Sequence, residues 1–258
     1  MKALQLLLCW LVGGGAGGPA TPAERELEEA DKLAALARVA APEAREKAVE
    51  EALRSYDALL AAHGKDQKFA PRVRRHRATL LKGVDRPLDA LKEHDAIVAG
   101  RARRKDKARA LCDGAALLVR AGDLHGAERR LARAIDEYGD VANVRAEASL
   151  ERGRLLCRTG RTRDAVACWL HVVERCRDEE KIAIEAYDEL ALLAIEEGDA
   201  REARKWLRAC TDAFGKRAAR DDKQGKFLSR QLGAMKAPQR LAGAERPIED
   251  AGAEGARK

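Results

Sequence analysis

Aromatic residues make up only 3% of this 258-residue chain, serine occurs three times and asparagine once. Strands favour aromatic and β-branched side chains, and side-chain-capped turns draw on Ser, Thr and Asn, so an extensive β fold has little to work with. Chemistry-bearing patterns are missing too. The histidines His63, His76, His94, His125 and His171 form no i,i+4 pair and no H-E-x-x-H, and no G-x-x-x-x-G-K-[ST], G-x-S-x-G or dinucleotide fingerprint is present. Gly13-Gly14-Gly15 has no strand before it. No catalytic, metal or cofactor residue is therefore assigned, and an enzyme is the weakest of the functional classes. The longest leading apolar run, Ala3 to Val12, is ten residues, well short of a membrane span.

What is abundant is Ala, Leu, Glu, Lys and Arg, the composition of helices, and an all-α fold follows. Charge is plentiful, 36% of residues with a net +7, and it is unevenly spread. Lys65 to Arg109 is strongly basic and Glu179 to Glu202 strongly acidic. Such segregation steers charged partners, although most helical charges are solvated faces.

The N-terminus reads as a targeting segment over 1–20. Met1-Lys2, the apolar Ala3 to Val12 and the small residues Gly13 to Ala20 follow the order of a signal peptide, with cleavage after Ala16 or Ala20. Export to the periplasm, envelope or exterior is expected; an uncleaved anchor or a plain flexible leader are the alternatives. Cys9 lacks the small preceding residue of a lipoprotein signal. The later cysteines, Cys112, Cys157, Cys168, Cys176 and Cys210, form no C-x-x-C pair and sit at apolar helical positions, so buried free thiols are expected.

Thr21-Pro22-Ala23-Glu24 marks a helix start, with Thr as N-cap, Pro in the first turn and Glu three residues on. Pro42 opens a second helix closed by Gly64, carrying Ala48, Ala52, Leu53, Tyr56 and Leu60 on one face. Pro71 to Lys82 and Leu88 to Ala99 follow. These divergent hairpins fill 21–100. From there long helices near 104–121, 142–159 and 180–197 alternate with shorter ones near 124–138, 162–177 and 200–214. A capping helix is expected within 220–236, with Phe227, Leu228, Leu232 and Met235 on one side, then a disordered tail over 237–258.

The regular part repeats at 38 residues across 104–214. Its motif is A-x6-L-[LA]-x3-G-x4-A, read as Ala110 to Ala127, Ala148 to Ala165 and Ala186 to Ala203, with turn glycines Gly122, Gly160 and Gly198. Ala115, Gly153 and Ala191 are small, and Leu131, Trp169 and Leu207 are large. A small residue lets the second helix of a hairpin approach closely, and a large one fills the groove beside it.

At these positions the chain resembles the tetratricopeptide repeat (TPR) family of helix-turn-helix units. It departs in carrying Leu111, Ser149 and Tyr187 at the aromatic positions, in lacking the closing proline and in a period longer than ~34. The resemblance implies a right-handed αα-superhelix of about five hairpins plus a capping helix. It further implies a non-enzymatic scaffold that binds a protein or peptide along its concave face, with no cofactor.

By position, the first-helix residues implied for binding are Arg109, Asp113 and Arg120, then Glu147, Glu151, Arg154 and Arg158, then Glu185, Asp188, Glu189 and Glu196. Arg120, Arg154 and Arg158 would lie near one another and pair a ligand carboxylate, unless Glu147 and Glu151 neutralise them within the array. Another αα-solenoid is the competing architecture. The competing function is binding of nucleic acid, another anionic polymer or a membrane surface through Arg72, Arg74, Arg75, Arg77 and the Arg101 to Arg109 cluster, although stacking aromatics are missing.

Overall fold

A computed structural model describes residues 20–244 of the chain. The expected leader, with its cleavage points and Cys9, and the tail beyond residue 244 lie outside the described residues. Within them the chain is all helix and turn. It divides at Glu93/His94 into two compact units.

The first unit opens with α1 (Pro22–Val39) and α2 (Pro42–His63), which pack as a hairpin. The start of α1 is a complete capping box: the Glu24 amide donates to the Thr21 hydroxyl at 3.3 Å, and Glu24 Oε2 accepts the Thr21 amide at 2.9 Å. The turn itself has no glycine. Ala41 is extended because Pro42 follows it, and the proline ring then sets the first helical φ. Next comes α3 (Phe69–Gly83), whose face packs on α1 and α2, and then α4 (Pro87–Ala99), within which the division between the units falls. The core is Leu27, Ala30, Ala34 and Ala37 of α1, Val49, Ala52, Tyr56 and Leu59 of α2, and Val73 and Leu80 of α3. Ala48, Leu53 and Leu60, expected on the inner face, pack around its edge.

The second unit holds three hairpins: α5 (Arg104–Ala121) with α6 (Leu124–Tyr138), α7 (Ala142–Arg158) with α8 (Thr162–Arg175), and α9 (Glu180–Glu196) with α10 (Ala200–Ala218). Each second helix also packs on the next first helix, and the first helices α5, α7 and α9 touch in turn. Gly122, Gly160 and Gly198 have φ of 85°, 77° and 80°, the left-handed region that side chains other than glycine's enter at a cost. The reason is the same at all three turns. In the first, the Asp123 amide donates to the Leu118 carbonyl at 2.9 Å and the Gly122 amide to Val119 at 3.3 Å; Arg161 and Asp199 make the matching long bonds to Leu156 and Ala194. This double closure of the last helical carbonyls needs a left-handed residue.

Inside each hairpin the small and large positions meet. Ala127, Ala165 and Ala203 are fully buried, as are Ala115 and Ala191. A β-carbon on Gly153 would stand 2.3 Å from the Trp169 ring nitrogen, so that glycine is what admits the indole. Trp169 then donates to the Leu150 carbonyl at 3.3 Å, satisfying its only polar group. Leu131 is buried like Trp169, whereas Leu207 lies at the edge of its cluster.

A fourth copy of the turn sits in the first unit. Asp85 has φ 59°, the Arg86 amide donates to the Leu81 carbonyl at 2.9 Å, and Ala78 and Ala90 are buried on either side. Val73, Ala78, Leu80, Leu81, Asp85 and Ala90 stand at the same offsets as Ala110, Ala115, Leu117, Leu118, Gly122 and Ala127. An aspartate in place of the glycine hides this copy from a motif built on glycine.

The C-terminal end differs from expectation. The capping element is α11 (Lys223–Gly233), and a further helix, α12 (Ala237–Ala244), forms where a disordered tail was expected to begin. Leu228, Leu232 and Met235 enter the core, but Phe227 is 38% exposed and is not part of that face. Both helices run alongside α9 in its own direction. Gln224 bonds Glu180 at 3.1 Å, the amides of Lys236 and Ala237 bond the Asp188 carboxylate at 3.0 and 2.9 Å, and Arg240 pairs with Glu196 at 3.2 Å. Among the described residues, α11 and α12 together stand as a broken first helix of a further repeat. Leu241 of α12 meets Ala194 and Ala203 near the last turn.

Candidate functional site

The face offered by α5, α7 and α9 carries the residues implied by the family resemblance, and Arg154 is its hub. Its Nε donates to Glu189 at 2.6 Å, one terminal nitrogen to Glu151 at 2.6 Å and the other to Glu185 at 3.1 Å. Burial works against its charge, yet the hydrogen bond to Glu189 and the Glu151 carboxylate outweigh it and hold the guanidinium ionised. Three of the proposed binding residues, Arg154, Glu185 and Glu189, are thus brought together, but by pairing with one another. Lys181 adds a looser contact to Glu185 at 3.7 Å.

Glu147, one turn before Glu151, has a different environment. Burial pushes its carboxyl above the ordinary range, with Asp113 and then Glu151 adding like-charge repulsion, and Arg109 and Lys181 only partly offsetting these. Beneath it Cys112 is buried, its thiol pushed up to about 12 by burial and the same carboxylates. The local field here is acidic. Asp188 serves the fold, accepting the first amides of α12, so it is not free for a ligand as the resemblance implied. Arg109, Arg120 and Arg158 are exposed. Arg120 and Arg158 form no ion pair among the described residues and do not join the Arg154 cluster, so the expected three-arginine carboxylate site is not formed.

The packing residues of the motif lie where their sizes require. Leu111, Ser149 and Tyr187, at the aromatic positions, are all buried. Cys176 and Cys210 are buried like Cys112, while Cys157 and Cys168 are half-buried; all five are free thiols whose pKa burial raises. That disposition suits packing rather than nucleophilic reactivity.

The basic run is largely spent inside each unit. In the first, Arg74 pairs with Glu93 at 3.0 Å, Arg77 with Asp57 and Glu93 at 3.0 and 3.1 Å, and Arg86 and Lys92 share Asp89. In the second, Arg103 pairs with Asp106 and Arg104 with Asp140, both at 2.7 Å. A cation already committed to a carboxylate adds little to phosphate binding, so the polymer-binding alternative loses its main support. Among the described residues no helix is long and apolar enough to cross a membrane, and no group of His, Cys, Asp or Glu is placed to hold a metal ion.

No protein-family model matches the sequence, and no curated protein matches it. Solved structures do match in fold. A kinesin light chain from Podosopora anserina, with nearly identical TPR-like repeats, is 17% identical over 77% of this chain and 98% of its own, with a TM-score of 0.53. PilF of Pseudomonas aeruginosa is 14% identical over 86% of this chain and 90% of its own, at 0.51. A MamA protein is 17% identical over 77% and 97%, at 0.50. These likenesses establish a TPR-like helical solenoid, the architecture expected from the 38-residue motif.

Proposed function

We propose that the chain is a non-enzymatic protein-interaction scaffold, exported to the cell envelope or beyond, whose α5–α7–α9 face takes a basic segment of a protein partner. The observation that carries the charge preference is the state of Arg154. With three carboxylates around it, the most central cation of the face is already neutralised. Glu147 and Asp113 remain, in an environment where an added lysine or arginine would relieve the cost of ionising Glu147. Repeat arrays present such extended faces without needing a catalytic pocket. Export rests on the order of charge, apolar run and small residues over 1–20.

The binding test uses fluorescence anisotropy with a labelled lysine-rich peptide and a glutamate-rich one of equal length. Selective, salt-sensitive binding of the basic peptide, weakened about tenfold by Glu147→Lys, is expected. Preference for the acidic peptide would overturn the charge assignment. Export is tested separately by mass spectrometry, which should find the mature chain starting between Gly17 and Glu24. An intact Met1 in a cytoplasmic pool would sink it.

A further inference from the structure

A cavity of about 470 Å³ lies in the first unit, within the size range of small-molecule sites. Ala34 and Ala35 of α1 and Leu80 of α3 give it apolar wall, and Tyr56 of α2 lines it as well. Its polar centre is a relay across three helices. The Tyr56 hydroxyl donates to Asp31 at 2.7 Å, and His76 Nδ1 meets both Asp31 oxygens at 2.8 Å. Asp31 is thereby occupied, and Nε2 is the imidazole nitrogen left for another partner. Burial, then the bond to Asp31, pushes the Tyr56 pKa upward, so the phenol stays neutral.

The cations of the lining are not equally committed. Lys32 is paired with Glu29 at 2.6 Å. Arg72 reaches Glu24 at 3.8 Å, and the lining carboxylate Glu28 lies one turn along α1 from Glu24. Arg38 has no ion pair among the described residues. Its stem passes over Gly83, its Nε folds back to the Ala34 carbonyl at 3.3 Å, and its charge is close enough to act on the Tyr56 phenol. The lining of the cavity thus holds an uncommitted guanidinium and an oriented imidazole together with small apolar side chains.

We propose that this cavity binds a small organic anion, its charged head on Arg38 and His76 and its apolar body against Ala34, Ala35 and Leu80. A guanidinium offers paired donors to a carboxylate or phosphate, and a protonated imidazole adds a third. The polar groups that line the cavity with His76 are Glu28, Asp31, Lys32 and Arg38 of α1, Tyr56 of α2 and Arg72 and Thr79 of its own helix. Asp31 engages Nδ1, which leaves Nε2 directed to a ligand. The site is independent of the peptide-binding reading, which concerns the second unit.

Calorimetry on the full chain tests it with 4-phenylbutyrate, phenyl phosphate and inorganic phosphate. One-to-one binding of one of the aryl anions is expected, and the preferred anion reports whether the head is carboxylate or phosphate. Arg38→Gln and Ala35→Phe, which change an exposed and a half-buried residue, should each weaken it about tenfold or more. Amide shifts of the wild-type protein confined to residues 28–38 and 72–80 would locate the site even if a variant misfolds. No saturable binding by either aryl anion, equal binding by inorganic phosphate, or full affinity in folded Ala35→Phe would overturn the proposal.

Discussion

The two units build their hairpins by different means. In residues 94–244 every hairpin turns on a glycine at φ near 80° and closes on a buried alanine. In residues 20–93 one turn uses an extended alanine before Pro42 and another an aspartate at φ 59°, while the interior is tied by the polar contact of Tyr56, Asp31 and His76. What is common to the Asp85 turn and the glycine turns is the hydrogen-bond closure and the small flanking residues. Repetition therefore lives in backbone geometry and close packing; the residue that meets the demand is free to change.

The largest effect should come from the tightest contact of the second unit. Trp169→Ala should cost about 3–5 kcal/mol in urea unfolding, against about 1 kcal/mol for Tyr56→Phe, which removes one hydrogen bond from the first. Comparable losses would mean the polar contact is worth as much as the packed one. Next, Gly153→Ala should cost about 1–3 kcal/mol, because the new methyl overlaps the Trp169 ring; an unchanged midpoint would refute that contact. Then the turns can be set against each other. Gly160→Ala should lose about 1 kcal/mol, whereas Asp85→Gly should gain up to about 1 kcal/mol by relieving the left-handed strain, read as shifts of thermal midpoint in opposite directions.

The smallest effect depends on pH. Because the folded state raises the Glu147 pKa, its favourable contribution is present at low pH and is lost as pH rises from the ordinary glutamate value through the folded one. Glu147→Gln should accordingly be more stable than wild type near neutrality, with the difference closing as pH falls below 4.5. A gain that persists unchanged in acid would show another cause.

The capping box at Thr21, the prolines at two helix starts and the three turn glycines were readable because each meets a local demand with a specialised residue. The Asp85 copy was not, since aspartate tolerates the left-handed region without announcing it. Long-range charge pairing was equally hidden. Nothing in the order of residues tells that Arg154 will meet Glu185 and Glu189, 31 and 35 positions away, because that depends on how neighbouring first helices align. The same holds for Asp188, whose carboxylate finds α12 only after the chain has passed through α10 and α11, and for Phe227, which faces outward although it neighbours the inward Leu228.

The broken first helix at the C-terminal end has a consequence for how the array comes apart. In a linear stack each unit is stabilised by its neighbours, so the last one, with a neighbour on one side only, should be the first to fray. Here that unit is fastened at three levels of α9, by Glu180, Asp188 and Glu196, and Leu241 fills the space near the final turn. Loss of α12 would release the Asp188 carboxylate and bare Ala194 and Ala203 in one step. Helix α12 is a latch, and opening the α9–α10 hairpin from that side requires lifting it first.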